Sequence, residues 1–285
     1  MVKTTIELTV VGRDHEGVVA GFTNLIFQNG GNIEKINQNV IKGFFGMYLE
    51  ASFAKKFNPQ KFNDIASKLA KNLKMEVSIH YEATKRKRVA ILVTKEPHCL
   101  QAILESRNKN QLRGEIVVVV DTEKTLAKIA NKAKIPFVLV NDIDQTRAED
   151  KIITIMKKYN VDLIVLARYM RVLSPNFVWR YPNRIINIHP SILPAFPGAY
   201  AYVQAYERGA KIVGCTAHYV TEDLDQGPII FQDAFVIDEK ETLESLKRKG
   251  QKLEAKTLLE AVKMHLEGRL EVYWGKVHVK PKRSK

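Results

Sequence analysis

The stretch Asn183–Gly198, NRIINIHPSILPAFPG, determines how the rest of the chain is interpreted. Arg184–His189 is rich in isoleucine and follows a Tyr-Pro-Asn break, which predicts a short buried strand. Side chains alternate across a strand, so Asn187 and His189 should project from the same face. Pro190 ends the strand and leaves both polar groups near its carboxyl end, where ligands bind in open α/β sheets.

Asn187 and His189 together suit a reaction that develops negative charge on an oxygen. The amide can donate a hydrogen bond, and the imidazole can donate another or deliver a proton. A carboxylate that could orient the imidazole occurs further along, at Asp225 in HYVTEDLDQGPII. The plain alternative is structural, because a lone Asn or His at a strand end often only satisfies local hydrogen bonds.

Composition limits the class of protein. The chain has 285 residues, enough for two domains with separate cores, and 45% of them are hydrophobic. Apolar runs such as Ile116–Val120 are too short to span a bilayer, and the start is not that of a secretory signal. The two cysteines, Cys99 and Cys215, form no disulfide framework or metal-ligand spacing, so we expect a reducing cytoplasm and no membrane partner.

The net charge of +14 is compatible with a nucleic acid, an anionic substrate or a generally basic proteome. Part of it lies in Lys85–Arg88 and in the last residues of the chain. No zinc finger, aromatic RNA-recognition motif or GXXG loop accompanies these charges, so specific nucleic-acid binding is not expected.

The pattern along the chain predicts two α/β domains. Residues 1–82 give the order βαββαβ, a ferredoxin-like fold, and 83–87 form a charged linker. Residues 88–285 alternate strands and helices, which predicts a Rossmann-like, mostly parallel sheet covered by helices on both faces. The predicted elements of the first domain include strands 3–11, 33–41, 44–53 and 74–81 with a helix at 57–73; those of the second include a helix over 241–267 and one final strand over 272–279.

The joint pattern N-x-H-P-S-x-L-P-x-F-x-G and D-x-G-P-I-I resembles the signature of the formyltransferase family, enzymes that handle 10-formyltetrahydrofolate. The resemblance extends over about Arg88 to Val236. It implies that Asn187, His189 and Asp225 form the catalytic set, with no metal and no cofactor besides the folate substrate. It also implies a folate pocket lined by Met170, Arg171, Val172 and Leu173 on one side and by Val220, Glu222 and Leu224 on the other.

The loop after the first strand of this domain separates two groups within the family. Formyltransferases that act on glycinamide ribonucleotide carry a Gly-Ser-rich loop there, whose amides hold the substrate phosphate. Thr94–Leu100, TKEPHCL, has no glycine, and Pro97 lacks a backbone donor, so it resembles the loop of formyltetrahydrofolate deformylases instead. Two features depart from the deformylase pattern: His189-Pro190 replaces a His-His pair, and Tyr200-Ala201 replaces Arg-Pro.

The N-terminal string GRDHEGVVA, Gly12–Ala20, resembles the ACT domain, a small module that typically binds an amino acid and pairs through its sheet. This resemblance implies a regulatory or assembly domain, a homo-oligomer (dimer or tetramer), and an amino-acid effector held by Asp14, Gly17 and Asn32. Many such modules bind nothing, so assembly alone is the alternative.

These features predict hydrolysis of 10-formyltetrahydrofolate to tetrahydrofolate and formate, which would supply formate for purine synthesis and balance one-carbon pools. Formyl transfer to an amine such as glycinamide ribonucleotide is the first alternative, because the same three residues would serve. The second alternative is an amino-acid sensor with a catalytically silent domain.

Overall fold

A computed structural model describes residues 3–54, 57–81, 86–141, 143–195, 201–238 and 240–281. Several positions named above lie outside the described residues: linker residues 83–85, the motif end at 196–198 with the departure at Tyr200, and the basic tail 282–285. The chain divides into two compact units. The first comprises 1–85 and Ser174–Pro182, and the second comprises Arg86–Leu173 and Asn183–Lys285.

The N-terminal unit has the predicted order βαββαβ. Its four strands form an antiparallel sheet in the order β2-β3-β1-β4, and Phe22, Phe53 and Phe62 are fully buried in its core. Helix α2 begins where Asn58 accepts a hydrogen bond from the Lys61 amide and proline occupies the first turn. The elements are β1 (Thr4–Arg13), α1 (Val18–Gln28), β2 (Gly31–Ile41), β3 (Phe44–Phe53), α2 (Pro59–Asn72) and β4 (Met75–Tyr81).

The second unit contains the predicted parallel sheet, and two antiparallel strands extend it at one edge. The strand order is β11-β10-β9-β8-β5-β6-β7, with β9, β8, β5, β6 and β7 parallel. The parallel strands read as continuous Val/Ile/Leu runs because helices cover both of their faces. In chain order the elements after β4 are β5 (Lys87–Val93), α3 (His98–Asn108), β6 (Gly114–Asp121), α4 (Ala127–Lys132), β7 (Phe137–Leu139), α5 (Gln145–Lys158), β8 (Leu163–Leu166), α6 (Pro175–Val178), β9 (Ile185–His189), α7 (Ala201–Glu207), β10 (Ile212–Tyr219), β11 (Ile229–Val236), α8 (Leu243–Leu266), β12 (Leu270–Tyr273) and β13 (Lys276–Val279).

The structure differs from the predicted domain limits at two places. Ser174–Pro182 lies with the N-terminal unit, where the Trp179 ring packs against Gly46 and Arg180 pairs with Glu76 at 2.8 Å. This segment is far from the N-terminal strands in sequence, so a domain boundary predicted in chain order could not include it. Lys87 opens strand β5 and is not the end of the linker.

The predicted final strand over 272–279 is a two-stranded hairpin. Strands β12 and β13 pair antiparallel across a turn at Trp274 and Gly275, both with positive φ. Trp274 is an uncommon residue for this backbone conformation, which explains why composition did not reveal the turn. None of the helices that the structure describes combines the length and the apolar composition needed to cross a lipid bilayer.

Candidate active site

Strand β9 presents Asn187 and His189 to one cavity, as its alternation predicts. Ile186 and Ile188 point the other way into the hydrophobic core. Asn187 is half-buried and His189 is buried at the strand's carboxyl end, and both line a cavity of about 630 Å³. The strand therefore holds an amide and an imidazole side by side on a rigid element.

Asp225 completes the predicted trio from a loop on the neighbouring side of the cavity. Its Oδ2 lies 3.1 Å from Nδ1 of His189, and its side chain is largely buried. Its backbone adopts φ +57°, a left-handed conformation that Asp tolerates better than most residues. Strained backbone of this kind is often found at functional sites, where the surrounding structure enforces it.

The glycine two positions after Asp225 explains the D-x-G-P pattern. A Cβ on Gly227 would lie 1.7 Å from the Tyr219 carbonyl oxygen, so only glycine fits this close approach. The amide of Tyr219 in turn donates to the Pro228 carbonyl at 2.9 Å. The loop that carries Asp225 is thus fastened directly to strand β10.

His218 is a site residue that sequence reasoning missed. It lies opposite Asn187 in the β9–β10 pairing, and its Nε2 is 3.2 Å from Asn187 Nδ2. Burial lowers the pKa of His218, so the ring is neutral. The alternation of apolar and polar residue types in β10 was the available signal, because His218 falls on the same face as Thr216.

The tautomer of His218 fixes the orientation of the Asn187 amide. His218 Nδ1 is 2.9 Å from the Tyr219 carbonyl, which can only accept, so Nδ1 carries the hydrogen. Nε2 is then an acceptor for one N–H of Asn187. An amide nitrogen has two hydrogens, so the second remains to bind a substrate oxygen.

The loops predicted to hold a folate lie around the same cavity. Met170, Val172 and Leu224 are exposed by 61%, 59% and 58%, which is unusual for apolar side chains in one concave site. Side chains hold the backbone of the Met170–Leu173 loop by hydrogen bonds. The Thr94 hydroxyl accepts from the Met170 amide at 3.1 Å, and the Gln145 side chain donates to the Val172 carbonyl at 2.9 Å. The other predicted residues of this group, Arg171, Leu173, Val220 and Glu222, also line the cavity.

The loop after β9 is tied to β10 and β11. Thr216 donates to the Ser191 carbonyl at 2.8 Å and accepts from the Leu193 amide at 3.0 Å. Gln232 donates both to Thr216 and to the Leu193 carbonyl, and Ser191 donates to the Ala195 carbonyl. These bonds hold the loop in place, and Leu193–Pro194 is a cis peptide.

A second group of polar side chains, which we call the charged wall, comprises Glu96, Arg168, Tyr202 and Glu254, which line the cavity, and His98, which contacts Glu254. Glu254 is 1% exposed and accepts from Tyr202 Oη at 2.6 Å and from His98 Nε2 at 3.1 Å. Arg168, with φ +62°, donates to Glu96 at 3.2 Å, and its Nε lies 3.5 Å from Glu254. Burial alone would raise the pKa of Glu254, but His98 and Arg168 outweigh it and lower the pKa below its ordinary value.

One trio in this region has the geometry of metal ligands. The donor atoms of His98, Cys99 and Glu254 lie within 4.8 Å of one another. Burial raises the pKa of the Cys99 thiol well above its ordinary value, and the Arg168 guanidinium occupies the neighbouring space. A neutral thiol and an adjacent cation both oppose metal binding, so the trio fits a hydrogen-bonded network better.

The structure does not bring the predicted effector residues into one site within the chain. Asp14 and Gly17 follow the end of β1, whose Arg13 is level with Phe44. Asn32 is level with Ser52, at the other end of the same sheet. Eight strand positions, from Phe44 to Ser52, separate the two levels, about 27 Å at the rise of a β-strand. Gly17 does adopt φ +85° before α1, and Asp14 is exposed.

Comparison with known proteins assigns the chain to a family. Residues 87–262 match the family described as Formyl transferase. The formyltetrahydrofolate deformylase of Bacillus subtilis (strain 168) is 40% identical over 276 residues, which cover 93% of this chain and 90% of that protein. The crystal structure of a formyltetrahydrofolate deformylase from Pseudomonas syringae pv. tomato has a TM-score of 0.67 at 32% identity and covers 99% of this chain and 95% of that chain.

A transferase structure has a similar fold over a shorter span. Glycinamide ribonucleotide transformylase 1 from Symbiobacterium toebii has a TM-score of 0.66 at 34% identity and covers 71% of this chain and 97% of that chain. The chain therefore belongs to the formyl transferase family. Within that family, its similarity along nearly the whole length is to the formyltetrahydrofolate deformylases.

Proposed function

We propose that this protein is a hydrolase that converts 10-formyltetrahydrofolate and water to tetrahydrofolate and formate. The observation that carries the proposal is the His189–Asp225 pair beside the oriented amide of Asn187 in one cavity. The near-full-length similarity to deformylases supports the same activity.

The three side chains divide the work of the reaction. Water adds to the formyl carbon and gives one proton to the His189 ring, while Asp225 orients the water and the ring. The free N–H of Asn187 and the His189 ring stabilise the negative charge on the formyl oxygen. The bond from carbon to N10 of the folate then breaks, His189 delivers a proton to that nitrogen, and formate leaves.

The folate is proposed to lie between the two loops that carry the exposed apolar side chains. A pterin is flat, with hydrogen-bonding edges, and needs apolar walls with a few polar groups. Met170, Val172 and Leu224 supply the walls, with Leu173 and Val220 behind them. Arg171 and Glu222 supply charged groups at the same rim.

The wider role is part of this proposal. Formate released by the enzyme would supply purine synthesis and balance one-carbon pools. The free, buried thiols of Cys99 and Cys215 suit a reducing cytoplasm. We infer a homo-oligomer that pairs through the N-terminal sheet, whose strand β2 is a long, exposed edge. An amino-acid effector would then need groups from more than one chain, given the separation of Asp14 from Asn32.

Formyl transfer to an amine is the competing function, because a transformylase shares the fold. A silent sensor that binds nucleic acid through its basic surface is less compatible with an assembled trio. Retention on heparin only at low salt would exclude that sensor's nucleic-acid binding.

The decisive assay is incubation of the purified protein with 10-formyltetrahydrofolate and no amine. Multiple turnovers of formate, abolished in Asp225→Asn, are expected. Turnover that begins only when an amine is added would make the protein a transferase.

A further inference from the structure

The active site must determine which acceptor takes the formyl group. A deformylase and a transformylase share this fold at similar identity to this chain. In both reactions a nucleophile attacks the same formyl carbon, so an oxyanion donor and a proton donor serve either one. The part of the cavity beside these groups must therefore discriminate water from an amine.

The charged wall lies in that part of the cavity. Strands β9, β8 and β5 are adjacent and parallel, so their carboxyl ends meet at one edge of the sheet. His189 ends β9, Arg168 follows β8, and Glu96 follows β5. Asp225 and Leu224 approach from the β10 side, so the wall bounds the opposite side of the catalytic residues.

The wall is occupied by its own side chains. The Tyr202 ring packs so closely on helix α8 that a Cβ on Gly250 would lie 2.3 Å from it. One turn further along the helix, Glu254 accepts the Tyr202 hydroxyl. Both oxygens of Glu254 therefore have donors, and the ring is held where a larger acceptor would have to enter.

The charges of the wall oppose an anionic acceptor. The Arg168 guanidinium is flanked by two carboxylates, Glu96 and Glu254. Gln251 also donates to Glu96 at 3.4 Å. A phosphate brought to this side would have to displace Glu96 or Glu254 from Arg168, and it would then lie close to the displaced carboxylate.

We propose that the charged wall makes water the acceptor by excluding amines from the side of the cavity next to Asn187 and His189. The inference rests on the proposed hydrolysis and adds the determinant of its specificity. Tyr202 acts by occupying space and Glu96 acts by charge. Water needs no binding surface there because it is small enough to reach the formyl carbon beside Asp225.

The test measures how the formyl group partitions between water and an amine. Native protein, Tyr202→Ala, Glu96→Gln and the double variant are supplied with 10-formyltetrahydrofolate and either glycinamide or glycinamide ribonucleotide. Formate and formylated amine are quantified in each reaction. Tyr206→Ala is the matched control, because Tyr206 lies on the same helix but is 43% exposed outside the wall.

Native protein and the control should give formate and no formylated amine. Tyr202→Ala should give a ratio of formylated glycinamide to formate at least about tenfold above the detection limit that bounds the native ratio, a barrier difference of at least about 1.4 kcal/mol. The ribonucleotide should be captured best by the double variant, because its phosphate also requires the loss of the Glu96 charge. The Glu96 side chain is half-exposed, so its replacement should not disturb folding. Glu96→Gln therefore keeps the proposal testable if Tyr202→Ala does not fold.

Three results would overturn the proposal, and they differ in what they say of the proposed hydrolysis. An unchanged partition in folded variants that still release formate would reject the wall and leave the hydrolase intact. Formylated amine from native protein would reject both. Absence of any turnover by native protein would reject the hydrolase, and with it a wall that selects water.

Discussion

At the residue scale, each polar group of the site is oriented by another. Asp225 holds His189 through Nδ1, and His218 holds Asn187 through Nδ2. This arrangement gives the Asn187 amide one fixed hydrogen bond and leaves its second N–H for substrate. In the proposed mechanism the chemistry at the formyl carbon depends on these two pairs, and the sequence pattern predicted only the pair of His189 and Asp225.

Asn187→Ala is expected to lower kcat by ~10²–10³, the usual cost of losing one oxyanion donor. KM should change little, since the interaction strengthens in the transition state. Steady-state kinetics and a thermal unfolding curve check this, with Asn131→Ala on an exposed helix position as the control. Unchanged turnover in Asn187→Ala would remove the amide from the mechanism.

His218→Phe should lower kcat while leaving the fold intact, because the Asn187 amide loses its orienting acceptor. We expect a loss of about tenfold to a hundredfold, less than removal of Asn187 itself. The double variant with Asn187→Ala separates a positioning role from an independent one. Effects that multiply in the double variant would show that His218 acts on something other than Asn187.

At the element scale, strand β10 and the loop after it supply the least predictable part of the site. The βαββαβ order and the alternating strands of the second unit follow from periodicity alone. His218 became a site residue only through its register with Asn187, and register between distant strands is not written in local composition. The charged wall was missed for the same reason, since His98 and Glu254 are 156 positions apart in the sequence.

Gly227→Ala is expected to disrupt the connection that holds Asp225. The added methyl would overlap the Tyr219 carbonyl, so the loop must shift, at a cost of about 3 kcal/mol. Denaturant unfolding should report the lower stability, together with a lower kcat. Gly21→Ala is the control, because its methyl would meet only the ends of two leucine side chains, Leu69 and Leu73. Native stability and activity in Gly227→Ala would contradict the close approach.

At the scale of the whole molecule, the two units have separate cores, and one segment departs from chain order. Ser174–Pro182 leaves the second unit between the Met170–Leu173 loop and strand β9, and it packs Trp179 on Gly46 of the N-terminal sheet. The boundary predicted from sequence rests on a charged linker. Nothing in that linker indicates that a later segment of the chain packs with the N-terminal unit. The packing of the Trp179 ring on Gly46 depends on the fit between their shapes, and the hydrophobic periodicity of the sequence does not encode that fit.

Buried histidines should make the protein less stable as it is acidified below neutral pH. Burial lowers the pKa of His265 well below its ordinary value, with Lys87 and Arg184 adding to the effect, and His218 is shifted the same way. The unfolded chain then binds more protons than the folded one below about pH 6.5, so stability falls as pH falls.

The slope from His265 should approach about 1.4 kcal/mol per pH unit between about pH 6 and pH 5, and His218 should add to it with the same sign. Unfolding midpoints across this range should fall less steeply in His265→Gln than in the native protein. His278→Gln, on an exposed hairpin position, is the control. Equal slopes in all three proteins would mean that His265 is protonated in the folded state.

The central claim is that water is the acceptor, and isotope labelling tests it most directly. The native protein is incubated with 10-formyltetrahydrofolate in ¹⁸O-water without an amine, and the formate is analysed by mass spectrometry early in the reaction. Attack of water on the formyl carbon predicts one ¹⁸O atom in each formate released. Formate without the label, or no formate until an amine is supplied, would contradict the hydrolase.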